Sequence, residues 1–148
     1  MTSTELLLPQ DLENHLIHIA RSYAVKMNEI ENQIFEIYEN DKTRLTESFA
    51  AYKAQYDPVF QQYATSKKRV YGGQANSYGR PTRYDGITAG TTAQATVKSK
   101  SKAEVYFQTD NQFSAEYLFV LHREGEEWKI DNVKYKWYNS EKWSSLIM

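Results

Sequence analysis

Apolar residues recur through the N-terminal part of the chain at steps of four and three: Leu12, Leu16, Ile19, Tyr23, Met27, Ile30, Ile34 and Ile37. That spacing draws one apolar stripe along a helix. The other face carries Glu13, Asn14, Arg21, Glu29, Glu36 and Glu39. Pro9 suits a first turn, and Asp11 and Glu13 sit near the positive end of the helix dipole. The pattern predicts one helix over Pro9–Tyr38, after a loose lead-in at 1–8. Asn40, Asp41 and Lys42 break it. Thr43 can cap a second helix with the stripe Leu45, Phe49, Tyr52 and Tyr56. Asp57-Pro58 then interrupts, because proline removes a backbone donor and disfavours helical geometry in the residue before it. A short third helix, Pro58 to Thr65, is expected to turn Val59, Phe60 and Tyr63 inward, which completes a helical layer over 9–65.

Residues 66–92 change character. They hold five of the six glycines and the last proline, so they read as a long loop with one short strand near Tyr84–Ala89. Loops of this length in a compact domain are uncommon and often functional. From Thr92 the period becomes two. Ala93, Ala95 and Val97 alternate with polar residues, as do Ala103, Val105 and Phe107, and then Ala115, Tyr117, Phe119 and Leu121. Leu118 and Val120 make the opposite face of that last strand apolar too, so it is expected to be central. Asp110-Asn111 and Glu124-Gly125-Glu126 mark turns. In the final strand the apolar face moves from even positions, Trp128 and Ile130, to odd ones, Val133, Tyr135 and Trp137. One extra residue at Asp131-Asn132, a β-bulge, restores the register and bends the sheet. The expected architecture is α+β: helices on one face of a curved antiparallel meander of four to six strands over 93–138, with a tail at 139–148.

Composition narrows the functional classes. The 148 residues suffice for one domain with its own core. There is no cysteine, which excludes disulfides, thiol catalysis and Cys-ligated metals. Leu6, Leu7 and Leu8 are too few for a signal-peptide core, and no apolar run approaches the length needed to cross a bilayer, so a cytoplasmic protein is expected. Net charge is −1 but uneven: −5 over residues 1–66, +7 over 67–102 and −3 over 103–148. Twelve tyrosines supply rings with polar tips, suited to half-buried faces and interfaces.

Candidate chemistry is sparse. His15 and His18 share one side of the first helix, but no HExxH pattern accompanies them, and they read as solvated surface residues. His122 reads as a strand-end polar residue. Gly72-Gly73 and Gly79 match no phosphate-cradling pattern, and there is no GxSxG elbow. Asp85 with Tyr71, Tyr84 and Tyr106 has the residue types of a general base with phenolic donors. The same residues are what a loop and a half-exposed sheet ordinarily contain. Lys67, Lys68 and Arg69, interleaved further on with Tyr71, Tyr78 and Tyr84, have the ingredients of single-strand nucleic-acid binding. The near-zero net charge argues instead for a solvated basic loop or one that meets an acidic protein surface. No catalytic residue, metal ligand or cofactor site is assigned.

The wording of the strands carries a resemblance. KAEVYFQT, then SAEYLFVLHREGEEWKIDNVKYKW with its W-x-I-D strand (Trp128, Lys129, Ile130 and Asp131), is similar to the C-terminal half of NTF2-like domains. The long first helix, Tyr84-Asp85 and the terminal Lys142-Trp143 look like one branch, the NTF2-fold immunity proteins of bacterial polymorphic toxin systems. The resemblance implies an NTF2-like cone. It also implies a non-catalytic antidote that binds and neutralises a sibling toxin domain, such as a nuclease, in the cytoplasm. For a partner surface, the aromatic and basic loop residues Tyr71, Tyr78, Arg80, Arg83, Tyr84 and Asp85 are the first choice, because Tyr and Arg are enriched at binding hot spots. The acidic helix face of Glu29, Glu36 and Glu39 is the second, suited to a basic cleft. The alternative within the same fold is a small-molecule binder or an isomerase- or cyclase-type enzyme using the hollow of the cone.

Overall fold

A computed structural model describes residues 9–39, 41–69, 78–79, 81–137, 139–146 and 148. The lead-in at 1–8 and the expected partner residues Tyr71 and Arg80 lie outside the described residues. Helix α1 is Pro9–Tyr38, with the bounds that the apolar stripe predicts. Leu16, Ile19, Tyr23, Met27, Ile30 and Ile34 of the stripe are buried, whereas Ile37, in the last turn of α1, is 59% exposed. Asp41 caps a 3-10 turn at Lys42–Arg44 by accepting from the Thr43 backbone N–H.

Helix α2 then runs without a break over Leu45–Tyr63, so the expected stop at Asp57-Pro58 and the separate third helix are not found. Pro58 is exposed, so its ring meets solvent and not the core. Tyr56 and Phe60 flank it at i and i+4 and stack with ring centroids 5.5 Å apart, which requires helical geometry across the proline. A salt bridge from Lys53 to Asp57 at 2.7 Å spans the same turn. Burial of Tyr52 and Tyr56 offsets the hydrogen bond that Pro58 cannot donate.

Five antiparallel strands follow in sequence order: β1 Thr92–Val97, β2 Lys102–Gln108, β3 Glu116–Glu124, β4 Glu127–Lys136 and β5 Ser144–Leu146. β5 lies in the expected tail and pairs Val133 with Leu146 and Tyr135 with Ser144. The parity change in β4 is a bulge. Val120 pairs with Asn132 and Leu121 with Ile130, which leaves Asp131 as the extra residue. One face of the sheet (Ala103, Val105, Phe107, Phe119, Leu121, Ile130 and Val133) shares a single buried cluster with α1 and α2. This α+β layout is that of an NTF2-like fold.

The expected short strand at Tyr84–Ala89 is instead a run of turns. The Asp85 N–H donates to the Thr82 carbonyl and the Ile87 N–H to the Tyr84 carbonyl. Gly86 sits at φ +94°, in the left-handed region, and a Cβ there would lie 2.8 Å from Thr109 Cβ. Thr109 cannot give way easily, because it is buried and its hydroxyl donates to the Ala115 carbonyl at 2.7 Å. Gly86→Ala is therefore expected to cost about 1–3 kcal/mol through backbone strain and overpacking. Urea unfolding followed by circular dichroism will read this loss as a lowered midpoint.

Candidate functional site

Residues 78–79 and 81–87 lie between α2 and β1 in the chain, and side chains of the helices pin several of them. The Tyr78 hydroxyl donates to Ser48 Oγ at 2.7 Å, and its ring lies 5.4 Å from Tyr52 and 5.5 Å from Phe49. Glu31, 3% exposed inside α1, accepts from the Arg83 backbone N–H at 2.7 Å. Asn28 clasps the Tyr84 backbone from both sides, donating Nδ2 to its carbonyl at 2.9 Å and accepting its N–H at 3.1 Å. A side chain thus satisfies the polar groups that a strand neighbour would otherwise take.

Behind this segment the space between the helices and the sheet is filled. Tyr23, Tyr52, Tyr56 and Tyr84 are each at most 1% exposed. Tyr84 packs against Tyr23 and Phe119, both with ring centroids 5.6 Å away. The Arg83 guanidinium turns toward this cluster and donates from Nη1 to the Tyr52 hydroxyl at 3.5 Å. Burial by itself lowers the Arg83 pKa, but Tyr52, Tyr84 and Glu31 outweigh it and hold the guanidinium charged. Burial pushes the Glu31 carboxyl above its ordinary value, against the backbone donors of Arg83 and Gly79.

In front of the segment lies a groove of about 210 Å³, lined in part by Arg83, Asp85, Asn111, Phe113, Tyr135 and Trp137. Asn111 builds its floor. The Asn111 Oδ1 accepts from the backbone N–H groups of Phe113 and Ala115, which shapes the β2–β3 turn. Its Nδ2 donates to both the carbonyl and Oδ2 of Asp85, each at 3.0 Å. The Tyr117 hydroxyl also donates to the Asp85 carbonyl, at 2.8 Å. Phe113 and Trp137 form the wall, stacked with centroids 4.8 Å apart and planes at 15°.

Of the residues expected at a partner surface, Arg83 and Asp85 meet at this groove, and Tyr78 lies half-buried at the other end of the same segment. Tyr84 is a core residue, 1% exposed, and offers no surface: the Asn28 clasp turns its ring inward. Glu29 and Glu36 are exposed on α1, and Glu39 is exposed in the turn just past its end. The apolar residues Ile37, Leu45 and Phe49, at least 36% exposed, flank the nearby α1–α2 connection. Sequence reading missed Glu31, Asn111, Phe113, Tyr135 and Trp137 as site residues. The signal for Trp137 was present, since it continues the odd-numbered apolar face of Val133 and Tyr135 past the end of β4.

The basic trio after α2 is largely engaged by the bulge. Asp131 accepts from the Thr65 hydroxyl at 2.9 Å and from Lys67 Nζ at 3.0 Å, with His122 Nδ1 at 3.8 Å. Arg69 donates to the Asp131 carbonyl at 2.9 Å and lies over the Phe60 ring. Lys67 and Arg69 therefore fasten the chain after α2 to the sheet. Burial alone would raise the Asp131 pKa, but the hydrogen bonds from Lys67 and Thr65 hold it below the usual range. A depressed carboxylate adds stability that is complete above the unfolded value of about 3.9 and lost as pH falls through the folded one. Asp131→Asn is expected to cost about 1 kcal/mol at pH 7, a modest figure for a partly solvated pair. In urea melts the gap to the parent should shrink as pH drops below about 4. Among the described residues there is no group of three or more His, Asp or Glu able to hold a metal, and no helix is long and apolar enough to cross a membrane.

The model of one protein family, the NTF2 fold immunity proteins, matches residues 16–146. The chain belongs to that family. The match runs from the first buried turn of α1 to the last residue of β5, so it takes in both helices, the pinned segment and the whole sheet. No curated protein and no solved structure matches the chain. Membership in an immunity-protein family points to a toxin as partner and to binding more than to catalysis.

Proposed function

We propose that this protein is an antidote: it binds a cognate secreted bacterial toxin domain in the cytoplasm and neutralises it by contact, without catalysis of its own. The observation that carries the reading is the family match across both helices and all five strands. The groove supports it. An exposed tryptophan, 46% accessible, beside a stacked phenylalanine and a half-buried tyrosine has the composition of a protein-binding hot spot. Glu29, Glu36 and Glu39 supply a complementary field for a basic cleft such as a nuclease carries, which would speed encounter more than it would add affinity.

The ligand-binding or isomerase-type alternative draws on one observation, the buried Glu31 among tyrosines. Against it, the Glu31 carboxylate is engaged by backbone donors, and the tyrosine rings occupy the space a substrate would need. The experiment that tests the antidote reading is co-expression with the toxin domain encoded immediately upstream. Rescue of growth is expected, and persistent killing at equal expression would overturn the reading.

A further inference from the structure

We propose that the Trp137 groove receives a cationic side chain, arginine or lysine, that projects from the surface of the toxin domain. This rests on the antidote reading and names the chemistry of the contact. The wall of the groove presents π-faces: Trp137 stacks on Phe113 at 4.8 Å, and Tyr135 lies 6.3 Å from Trp137. Among the described residues Asp85 is the one carboxylate in the lining. Asn111 holds its Oδ2 at 3.0 Å, while Oδ1 has no hydrogen-bond partner among the described residues. Arg83, the one cation among the described lining residues, directs its guanidinium toward Tyr52 and the tyrosine cluster. The groove is thus an aromatic cleft with an oriented carboxylate at its base, the composition that recognises cations.

Competing occupants fit less well. An anion would face the Asp85 charge. An apolar plug would bury Asp85 Oδ1 unpaired, and an unpaired buried charge costs more than the apolar contact returns. A guanidinium or ammonium pairs with Oδ1 while its stem lies along the Trp137 and Phe113 rings.

The test uses the full chain and the toxin domain encoded beside it, with affinity measured by isothermal titration. Trp137→Leu and Asp85→Asn are each expected to weaken binding about 30-fold or more, the range of a hot spot. Trp137→Phe, which keeps a π-face, should retain most of the affinity. Replacing the arginines and lysines of the toxin by alanine one at a time should find one whose loss makes Asp85→Asn silent in a double-mutant cycle. Unaltered melting temperatures of the variants exclude misfolding as the cause. If the parent binds tightly and both variants bind equally well, the inference falls and the antidote reading stands. Weakening by Trp137→Leu without any effect of Asp85→Asn identifies an apolar plug and also overturns the inference. If the parent does not bind the toxin domain at all, the antidote reading falls and the inference with it.

Discussion

Tyr84→Ala is expected to remove about 3–5 kcal/mol of stability, the range for deleting a large buried ring. Tyr84 is 1% exposed and packs its ring against Tyr23, Tyr117 and Phe119. It therefore joins the pinned segment to both the long helix and the central strand. A domain of this kind has about 5–15 kcal/mol in total, so the variant sits near its unfolding threshold. The loss is not uniform. With the ring gone, residues 83–87 rest mainly on polar contacts: the Asn28 clasp, Glu31 on the Arg83 N–H, and Asn111 and Tyr117 on Asp85. Tyr84→Phe makes the opposite case. The hydroxyls of Tyr23, Tyr56 and Tyr84 are all buried without a well-formed hydrogen bond. Removing one leaves no acceptor orphaned, so Tyr84→Phe should fall within about 1 kcal/mol of the parent, on either side. Urea unfolding followed by circular dichroism separates the two. A shift of roughly 1–3 M in midpoint for alanine, and a small one for phenylalanine, is the expected pair. An alanine variant as stable as the parent would mean that this ring does not anchor the segment.

Glu31→Ala is the second large effect. It leaves the Arg83 backbone N–H, held by the carboxylate at 2.7 Å, without an acceptor. An orphaned donor costs about 1–3 kcal/mol when water cannot reach it, and a loss of that size is expected. Glu31→Gln keeps an acceptor for Arg83 and removes the charge. The sign of the pH dependence follows from burial, which raises the Glu31 pKa in the folded state. The native protein then holds this proton more tightly than the unfolded chain, whose glutamates titrate near 4.3. The associated stability is complete below about pH 4.3 and lost as pH rises through the raised folded value. The parent should therefore lose stability relative to Glu31→Gln on going from pH 4 toward neutrality. A parallel pH profile for the two proteins would show that Glu31 is not desolvated in the native state.

Which features were legible in the sequence follows from how local their causes are. The bounds of α1 came from the apolar stripe and the Pro9 start, both local. The bulge came from a parity change that only one extra residue resolves, and Asp131 is that residue. Pro58 misled because its local rule was outweighed by a tertiary one, the burial of Tyr56 and the Tyr56–Phe60 stack across it. β5 has three residues and therefore no readable period. Glu31 was overlooked although it sits four residues after Met27 on the buried face of α1. A charge within an apolar stripe was the signal, and its backbone partner lies 52 residues away. Tyr84 was expected at the surface because a tyrosine in a glycine-rich loop says nothing of which way it points. Phe113 and Trp137 come together only through the β3–β4 pairing, so their stacking was invisible until that register was known.

On the antidote reading, this member of the immunity family acts by direct contact with a toxin. The most direct measurement combines the purified protein with the purified toxin domain proposed as its partner and follows complex formation and toxin activity in the same titration. A saturable complex is expected, with toxin activity falling to background as the binding sites fill. Toxin activity undiminished at a large excess of the protein, with no complex on a sizing column, would contradict it.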